Sequence, residues 1–428
     1  MATTSDARVD VGSSASPETR EWCVSLNNKS IPSKEKINLD AFNGLRGIAA
    51  CVVVIGHLLT YWVGDPKGST FPVFGLDYLS AVSLFFVISG FTLVAIYDKD
   101  GQAPFSAAGS IKTFLRRRVA RLLPLYFLGL VLDIAPFLVF YPQEAWPVGF
   151  PIALLGLQSW TCGQGIFWNG PLWTVSAFFW CYLSFPGLLR RLRAHRLCVL
   201  QGLLVLVLGV CFALPSIWIP LMGWNTVFCL HTLYVFRLPQ FVAGMIAGLL
   251  VRQSPLTFPT WTLWISTLLL VASVVACAVG TGVLTGSDRW VFSNVYPLFA
   301  EFFTTTLFVA FLMALSSPRV KDSLVAKFLS SRPLSYLGDV SYALYCTHWP
   351  VPEWSAWAVA AKGVSKDAVP VQTDPVGWFF FPVWAIVVLL PVALVVAAIA
   401  HHILERPARK AIAGAAAQQG QAGGGGGS

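Results

Sequence analysis

Long apolar runs separated by short polar segments make up almost the whole chain. They lie at residues 42–63, 73–97, 122–141, 148–160, 166–189, 197–221, 233–251, 258–284, 291–315, 336–360 and 376–404. A helix of about 20 apolar residues is long enough to cross the hydrocarbon core of a bilayer. The run at 148–160 is too short to cross unaided, because it has thirteen residues and includes Pro151 and Gly156. The pattern predicts an all-α, polytopic membrane protein.

The distribution of Lys and Arg decides how many of these runs cross the membrane. If the run at 148–160 does not cross, both termini lie on one side, and that side holds nearly all the basic clusters. The opposite side then holds only Lys67, Arg289, Lys362 and Lys366. Since positive loop charge marks the cytosolic side, we predict ten transmembrane helices with both termini in the cytosol. Residues 148–165 are predicted to form a re-entrant or interfacial segment, and the choice of membrane stays open.

The composition excludes a soluble globular protein. Of 428 residues, 56% are hydrophobic and 11% are charged, whereas soluble domains carry about 25% charged residues. The net charge of +9 lies between apolar runs rather than on a polar domain, so membrane lipid and not nucleic acid is the expected partner. We predict a disordered cytosolic tail at 1–38, one membrane domain at 39–410, and a low-complexity tail at 411–428 whose glycine run is typical of an added linker.

The cysteines and histidines do not have the spacing of a metal site. None of the nine cysteines forms a CxxC or Cys/His metal motif. Cys162 and Cys229 fall in loops predicted to lie outside the cytosol, where a disulfide between them is one alternative. A metal site at His401, His402 and Glu405 is a weaker interpretation than a structural pairing of Glu405 with a cytosolic arginine. We therefore predict no bound metal.

Two ionisable residues lie inside the first apolar run. Residues 44–59 read "GLRGIAACVVVIGHLL" and contain Arg46 and His57. Eleven residues correspond to about three helical turns and about 16 Å, so both side chains share one face and His57 lies deeper. A deep intramembrane imidazole is a functional candidate. The alternatives are that Arg46 reaches the headgroups and that His57 only hydrogen-bonds a neighbouring helix.

This stretch resembles the first helix of the membrane-bound acyltransferase-3 family, in which an Arg is followed, after ten further residues, by a His. Other stretches are similar to later family motifs in the same order: "SLFFVISGFTL" at 83–93, "RRRVARLLPLY" at 116–126, "NGPLWTVSAFFWCYLSFP" at 169–186, "RLPQFVAGMIAG" at 237–248, "YLGDVSYALYCTHWPV" at 336–351 and "LERPARK" at 404–410. The resemblance covers about residues 38–410. No single motif is highly specific, but together they are strong.

The resemblance implies an enzyme that moves an acetyl or other short acyl group from acyl-CoA to a hydroxyl of a sugar, lipid or natural-product acceptor. Acyl-CoA is then a co-substrate, with no permanently bound cofactor, and the oligomeric state stays open. Ten helices is also the family's usual number. One motif departs, because many members have Glu after the Trp-Ser-Leu motif where this chain has Phe178 and Phe179. From this helix we carry over only Trp173, as a pocket-lining residue.

A basic cluster precedes the third spanning run. Guanidinium groups pair bidentately with phosphate, so Arg116, Arg117, Arg118 and Arg121 are candidates, together with Arg46, to hold the phosphates of CoA. The alternative is that the cluster sets the topology and binds anionic lipid. We expect only one or two of its four arginines to contact the donor.

Three further residues are candidates for the chemistry. His348 lies roughly 18 Å into its span and His57 roughly 22 Å into its own, in the same direction, so the two could converge on one site. Tyr345 lies on the same span. The alternative for His348 is an aromatic belt at the interface. Arg237, near the outer end of its helix, either faces the acceptor site or reaches outward.

These residues predict that His57 acts as general base on the acceptor hydroxyl. His348 or Tyr345 would orient His57 or stabilise the oxyanion that develops. The alternative function is a transporter of an amphipathic solute that couples through His57 and Glu301, although no inverted repeat is visible. A membrane receptor or scaffold with a ligand pocket is a third and weaker alternative.

Overall fold

The computed structural model describes residues 38–59, 78–98, 105, 110–140, 146–162, 168–222, 227–254, 258–283, 303–361, 372–373, 379–381 and 383–411. The two predicted tails, apart from Asn38 and Ala411, lie outside the described residues, as does Glu301.

Helices account for nearly all the described regular structure, which confirms the all-α prediction. In chain order they are α1 Leu39–His57, α2 Tyr78–Tyr97, α3 Ser110–Phe140, α4 Trp146–Leu154, α5 Trp173–Arg193, α6 Leu197–Met222, α7 Val227–Thr232, α8 Tyr234–Gln253, α9 Thr260–Val283, α10 Phe303–Leu315, α11 Leu324–Leu329, α12 Arg332–Thr347, α13 Pro350–Ala361 and α14 Ile386–Ala400. A π-helical turn, His401–Glu405, extends α14. Two two-residue strands, β1 Gln372–Thr373 and β2 Phe379–Phe380, pair antiparallel.

Seven helical segments in the described part of the chain are long and apolar enough to cross a membrane. They are α1, α2, α3, α5, α6, α8 and α14. The protein is therefore an integral membrane protein, but the predicted count of ten spans is not reached among the described residues. The runs predicted at 258–284 and 291–315 contribute shorter apolar helices there, Thr260–Ala272 and Phe303–Leu315.

The run predicted as one span at 336–360 is broken into two helices, and this corrects the sequence prediction. The helix α12 ends at Thr347, and α13 begins at Pro350. Proline has no backbone N–H and its ring clashes with the preceding turn, so Pro350 favours a break in the helix at this point. His348 is consequently placed at the C-cap of α12, at a helix end rather than in a helix interior.

Glycines allow α1 and α12 to pack with their backbones in contact. A Cβ atom added to Gly338 would lie 2.1 Å from the Asn43 carbonyl oxygen, and one added to Gly47 would lie 2.7 Å from the Gly338 nitrogen. Close approach through small residues is typical of membrane helix pairs. The Asn43 amide also donates to the Ser335 carbonyl at 2.9 Å and to Asp339 at 2.8 Å. This contact fixes the register of the two helices at their N-terminal ends.

The ends of three helices meet at one acidic residue. Asp98, just after α2, forms ion pairs with Arg193 at 2.8 Å and with Arg252 at 3.4 Å. Arg193 ends α5, and Arg252 lies in the last turn of α8. The C-terminal ends of α2, α5 and α8 therefore share one side of the helix bundle.

Up to residue 162, where its described part ends, the segment predicted as re-entrant or interfacial contains only short helices. The nine residues of α4 are too few to span, and a three-residue helix, Gln158–Trp160, follows. Tyr126 of α3 donates to the Ala153 carbonyl, and Ser159 and Ser176 share a hydrogen bond of 2.8 Å. The segment therefore packs against α3 and α5. A disulfide joins Cys162, near the end of this segment, to Cys229 in α7.

Candidate active site

His57 and His348 meet at the C-terminal ends of α1 and α12. Nδ1 of His57 lies 2.8 Å from Nε2 of His348, and the rings stack with their centroids 5.1 Å apart. Both side chains are buried, with 8% and 2% of their surface exposed. The convergence expected from the sequence is present because the two helices run in the same direction from the Asn43 contact.

Backbone carbonyls determine which nitrogen of each ring carries hydrogen. Nδ1 of His348 faces the carbonyl oxygens of Tyr345 at 2.8 Å and Leu344 at 3.1 Å, and these groups can only accept. Nδ1 of His348 is therefore protonated, and in the neutral ring Nε2 is an acceptor. His57 then donates from Nδ1 to His348, which leaves Nε2 of His57 as the acceptor nitrogen of that ring. A general base requires such a lone pair.

Aromatic residues enclose the histidine pair. The Trp349 ring meets His57 edge-on at 5.6 Å, and Tyr345 meets His348 at 5.8 Å. Tyr345 also contacts Phe85 at 6.1 Å and lies near the side chain of Thr174. Tyr345 thus lies between the histidine pair and the start of α5.

A cavity of about 230 Å³ lies between these elements and the N-terminal end of α1. Four arginines line it: Arg46, Arg118, Arg121 and Arg409. Its other walls include Phe85, Thr174, Tyr342 and Tyr345. The lining does not include either histidine, so Tyr345 is the residue that links the cavity to the pair. Since Arg46 precedes His57 by eleven residues of helix, the two ends of the site are about 16 Å apart.

The structure separates the predicted basic cluster into two groups. Arg118 and Arg121 line the cavity, whereas Arg117 is exposed and neither it nor Arg116 is among the lining residues. The guanidinium of Arg118 lies over the rings of Phe114, Tyr182 and Tyr97 at 5.6, 5.8 and 6.0 Å. Arg46 donates to the Thr92 hydroxyl at 2.6 Å. Two arginines of the cluster are therefore placed where an anionic ligand of the cavity would lie.

Arg409 is a cavity residue that the sequence reasoning did not select. Its guanidinium lies 3.6 Å from Glu405, whose other oxygen accepts from His401 at 2.7 Å. Glu405 is fully buried, and the predicted structural pairing of Glu405 with an arginine is confirmed. The only signal in the sequence was a basic residue four positions after an acidic one, beyond the last span. No three His, Cys, Asp or Glu side chains are grouped to hold a metal ion among the described residues.

Comparison with known families places this geometry in context. An acyltransferase domain model, that of the acyltransferase-3 family, matches residues 39–402. The chain belongs to the acyltransferase-3 family. The match covers the histidine pair and every residue that lines the cavity except Arg409, and the protein is accordingly an acyltransferase of the membrane.

Two known proteins are similar in sequence to this chain. The chain is 26% identical over 395 residues to Acyltransferase MdmB of Streptomyces mycarofaciens. The aligned region covers 87% of this chain and 92% of that protein. The chain is 38% identical over 110 residues to Protein 2 in picA locus of Rhizobium radiobacter, covering 26% of this chain and 50% of that protein. No solved structure matches the chain.

Phe178, one of the two residues expected to depart from the family motif, lies in the wall of the cavity. Phe178 lines the cavity and stacks on Phe86 with ring centroids 4.3 Å apart. Phe179 packs instead against Trp180 at 5.7 Å. Phe178, backed by the buried ring of Phe86, therefore gives the cavity an apolar surface that suits an apolar group.

Arg237 does not reach outward, which corrects one of the two alternatives drawn from the sequence. It is fully buried, donates to the His231 carbonyl at 2.7 Å and lies over the Trp173 ring at 5.3 Å. Trp173 is buried beneath this guanidinium and is not a lining residue of the arginine cavity, although the next residue, Thr174, is. Arg237 and Trp173 thus form a separate polar cluster next to the cavity.

Proposed function

We propose that this acyltransferase moves a short acyl group from acyl-CoA to a hydroxyl of a sugar, lipid or natural-product acceptor. The observation that supports this proposal is the joint placement of four arginines and a hydrogen-bonded histidine pair about 16 Å apart along α1. A phosphate-bearing thioester is a ligand with charge at one end and a reactive carbonyl at the other, so its two ends match the two ends of this site.

The donor is held by the arginine-lined end of the cavity. Arg46, Arg118, Arg121 and Arg409 contact the phosphates of CoA, because guanidinium binds phosphate through charge-assisted, bidentate hydrogen bonds. The pantetheine arm then follows the apolar wall at Phe178 toward Tyr345. Burial of this arm places the thioester next to the histidine pair.

The acyl transfer begins with a proton transfer to Nε2 of His57. This nitrogen takes the proton of the acceptor hydroxyl as its oxygen attacks the thioester carbonyl carbon, and the new C–O bond forms. The Tyr345 hydroxyl donates to the carbonyl oxygen as it becomes negative. When the C–S bond breaks, the CoA thiolate takes the proton from the His57 imidazolium, and the neutral pair is restored. His348 holds His57 in the required tautomer throughout.

Trp173 and Arg237 are proposed to contact the acceptor. Arg237 is buried over the ring of Trp173, and the next residue in the chain, Thr174, lines the cavity together with Tyr345. An acceptor that reaches Tyr345 from this side approaches the thioester on the face opposite the arginine cavity. A buried arginine in a membrane protein is a functional candidate because its burial is costly.

Replacement of the cavity arginines tests the donor site. We expect Arg118→Ala and Arg121→Ala each to raise KM for acetyl-CoA by roughly 10- to 100-fold, because a hydrogen bond to a charged group contributes about 1.5–3 kcal/mol. The rate at saturating donor should change far less. The matched control is Arg117→Ala, which removes an exposed arginine from the same helix outside the cavity. Equal effects of Arg117→Ala and Arg118→Ala would contradict the assignment.

We also propose that both termini lie in the cytosol. The Cys162–Cys229 disulfide supports this orientation, because disulfides form in oxidising compartments. Both cysteines precede the starts of α5 and α8, the ends opposite Arg193 and Arg252. In intact cells, we expect protease to remove an N-terminal epitope tag only after permeabilisation, and non-reducing peptide mapping to recover the two cysteines together. Cleavage of the tag in intact cells would contradict the orientation.

Release of CoA tests the proposed function. Purified protein in lipid nanodiscs is supplied with acetyl-CoA and a panel of monosaccharide, macrolide and diacylglycerol acceptors, and free CoA and the acylated product are measured. We expect CoA release that depends on the acceptor and is equimolar with product. A protein that releases no CoA with any acceptor, but moves an amphipathic solute across liposomes, would favour the transporter alternative.

A further inference from the structure

Near the end of α12, one residue before its last, lies a backbone carbonyl that cannot accept the usual helical hydrogen bond. In an unbroken helix, the N–H of residue 350 donates to the carbonyl of residue 346. Residue 350 is a proline and has no N–H. Cys346 is fully buried, so its carbonyl oxygen requires another donor, because a buried backbone acceptor without one is costly. His348 lies only two residues further along the chain.

The side chain of Asn169 supplies that donor. Its Nδ2 lies 3.2 Å from the Cys346 carbonyl oxygen and 3.2 Å from the Gly129 carbonyl oxygen. Two carbonyl acceptors fix the orientation of the amide, since only its nitrogen can donate. Asn169 is 1% exposed, so water does not replace this contact. One asparagine therefore joins α3 to the end of α12.

Asn169 is itself held in place by a carboxyl pair. Its backbone is in the left-handed region, with φ 45°, which asparagine tolerates better than most residues. Its N–H donates to Oδ2 of Asp133 at 2.7 Å. Asp133 also lies close to Glu353 of α13, and both residues are 1% exposed. The network thus spans α3, the segment before α5, and both helices at the break.

Gly129 is needed for this approach. A Cβ atom at position 129 would lie 2.7 Å from the Cys346 oxygen and 3.2 Å from Nδ2 of Asn169. The first distance is shorter than van der Waals contact allows, so a larger residue would displace the end of α12. The chain therefore has a glycine where the asparagine bridge requires one.

We propose that Asn169 is a positioning residue, which caps α12 at the Cys346 carbonyl and thereby holds His348 against His57. Asp133 and Glu353 keep the asparagine in place. This inference rests on the proposed function of the histidine pair. A shift in the last turn of α12 alters the 2.8 Å hydrogen bond between the histidines, and with it the tautomer and direction of His57.

A suppressor experiment tests the cap directly. We expect Asn169→Ala to lower kcat by roughly 10- to 100-fold, as a small displacement at a reacting group does. KM for acetyl-CoA should not change, because the arginines lie at the other end of α1. Pro350→Ala restores an N–H at position 350 that can donate to the Cys346 carbonyl. The double variant Asn169→Ala/Pro350→Ala should therefore recover part of the lost kcat.

The control is Ser184→Ala. This variant removes the 2.8 Å hydrogen bond that joins α5 to Tyr234 of α8, which lies outside the Asn169 network. Both kcat and KM for acetyl-CoA should stay unchanged. Wild-type kcat in Asn169→Ala, or a double variant no more active than the single one, would overturn the proposal. If Asn169→Ala does not fold, recovery of folded protein by Pro350→Ala supports the cap, and lack of recovery overturns it.

The same variants separate this proposal from the proposed function. If the wild-type protein releases no CoA with any acceptor, the proposed function fails. The thermal midpoint of Asn169→Ala in detergent, and its rise in the double variant, still reports on the cap. An active wild-type enzyme with no suppression by Pro350→Ala overturns the positioning proposal alone.

Discussion

Loss of the His57 imidazole is expected to reduce acyl transfer more than any other change in the site. His57→Ala should lower kcat by about 10²–10⁴-fold, the usual contribution of a positioned general base. KM for acetyl-CoA should change little, because the cavity lining does not include His57. The measurement is the steady-state rate of CoA release in nanodiscs, together with product formation.

Two further variants show whether the effect comes from the pair. His348→Gln keeps an oxygen that can accept from Nδ1 of His57, whereas His348→Ala does not, so the glutamine variant should be the more active of the two. His402→Ala is the control, since His402 is exposed and bonds Tyr336 at 3.1 Å, away from the cavity. Transfer by His57→Ala at the wild-type rate would remove the basis of the proposed chemistry.

Widening of the contact between α1 and α12 is expected to have the largest effect on stability. Gly338→Val places a branched side chain where even a Cβ atom would lie 2.1 Å from the Asn43 carbonyl oxygen. The obstacle is backbone, so the helices must separate by about 1 Å, and overpacking of this kind costs about 1–3 kcal/mol or more. The thermal midpoint in detergent should fall, and transfer should be lost in the protein that remains folded, because the histidines move apart.

A glycine on an open surface provides the matched comparison. Gly187, inside α5, is exposed, and an added Cβ meets no atom within 4 Å. Gly187→Ala should keep or slightly raise the thermal midpoint, because alanine favours a helix by about 1 kcal/mol over glycine. Equal losses in both variants would mean that helix propensity, and not the close contact, explains the effect.

Local sequence patterns determined the membrane class, the all-α fold and the candidates Arg46 and His57. Apolar length and the spacing of charges are properties of a single segment, so they can be read without knowledge of its neighbours. The predicted topology also indicated that the two spans that contain His57 and His348 run in the same direction. The family membership, expected from motifs along the chain, is confirmed by the match over residues 39–402.

Contacts between distant segments decided the rest. Arg409 enters the cavity because the end of α14 lies beside the start of α3, whereas its own segment indicates only the pairing with Glu405. The break at Pro350 ended a predicted span, and only the folded chain shows that Asn169, 177 residues from Cys346 in sequence, satisfies the carbonyl that is released. Spacing along one helix determines which side chains share a face. The partner of a buried polar group is determined by packing, because each such group needs a donor or acceptor and the fold decides which one lies within reach.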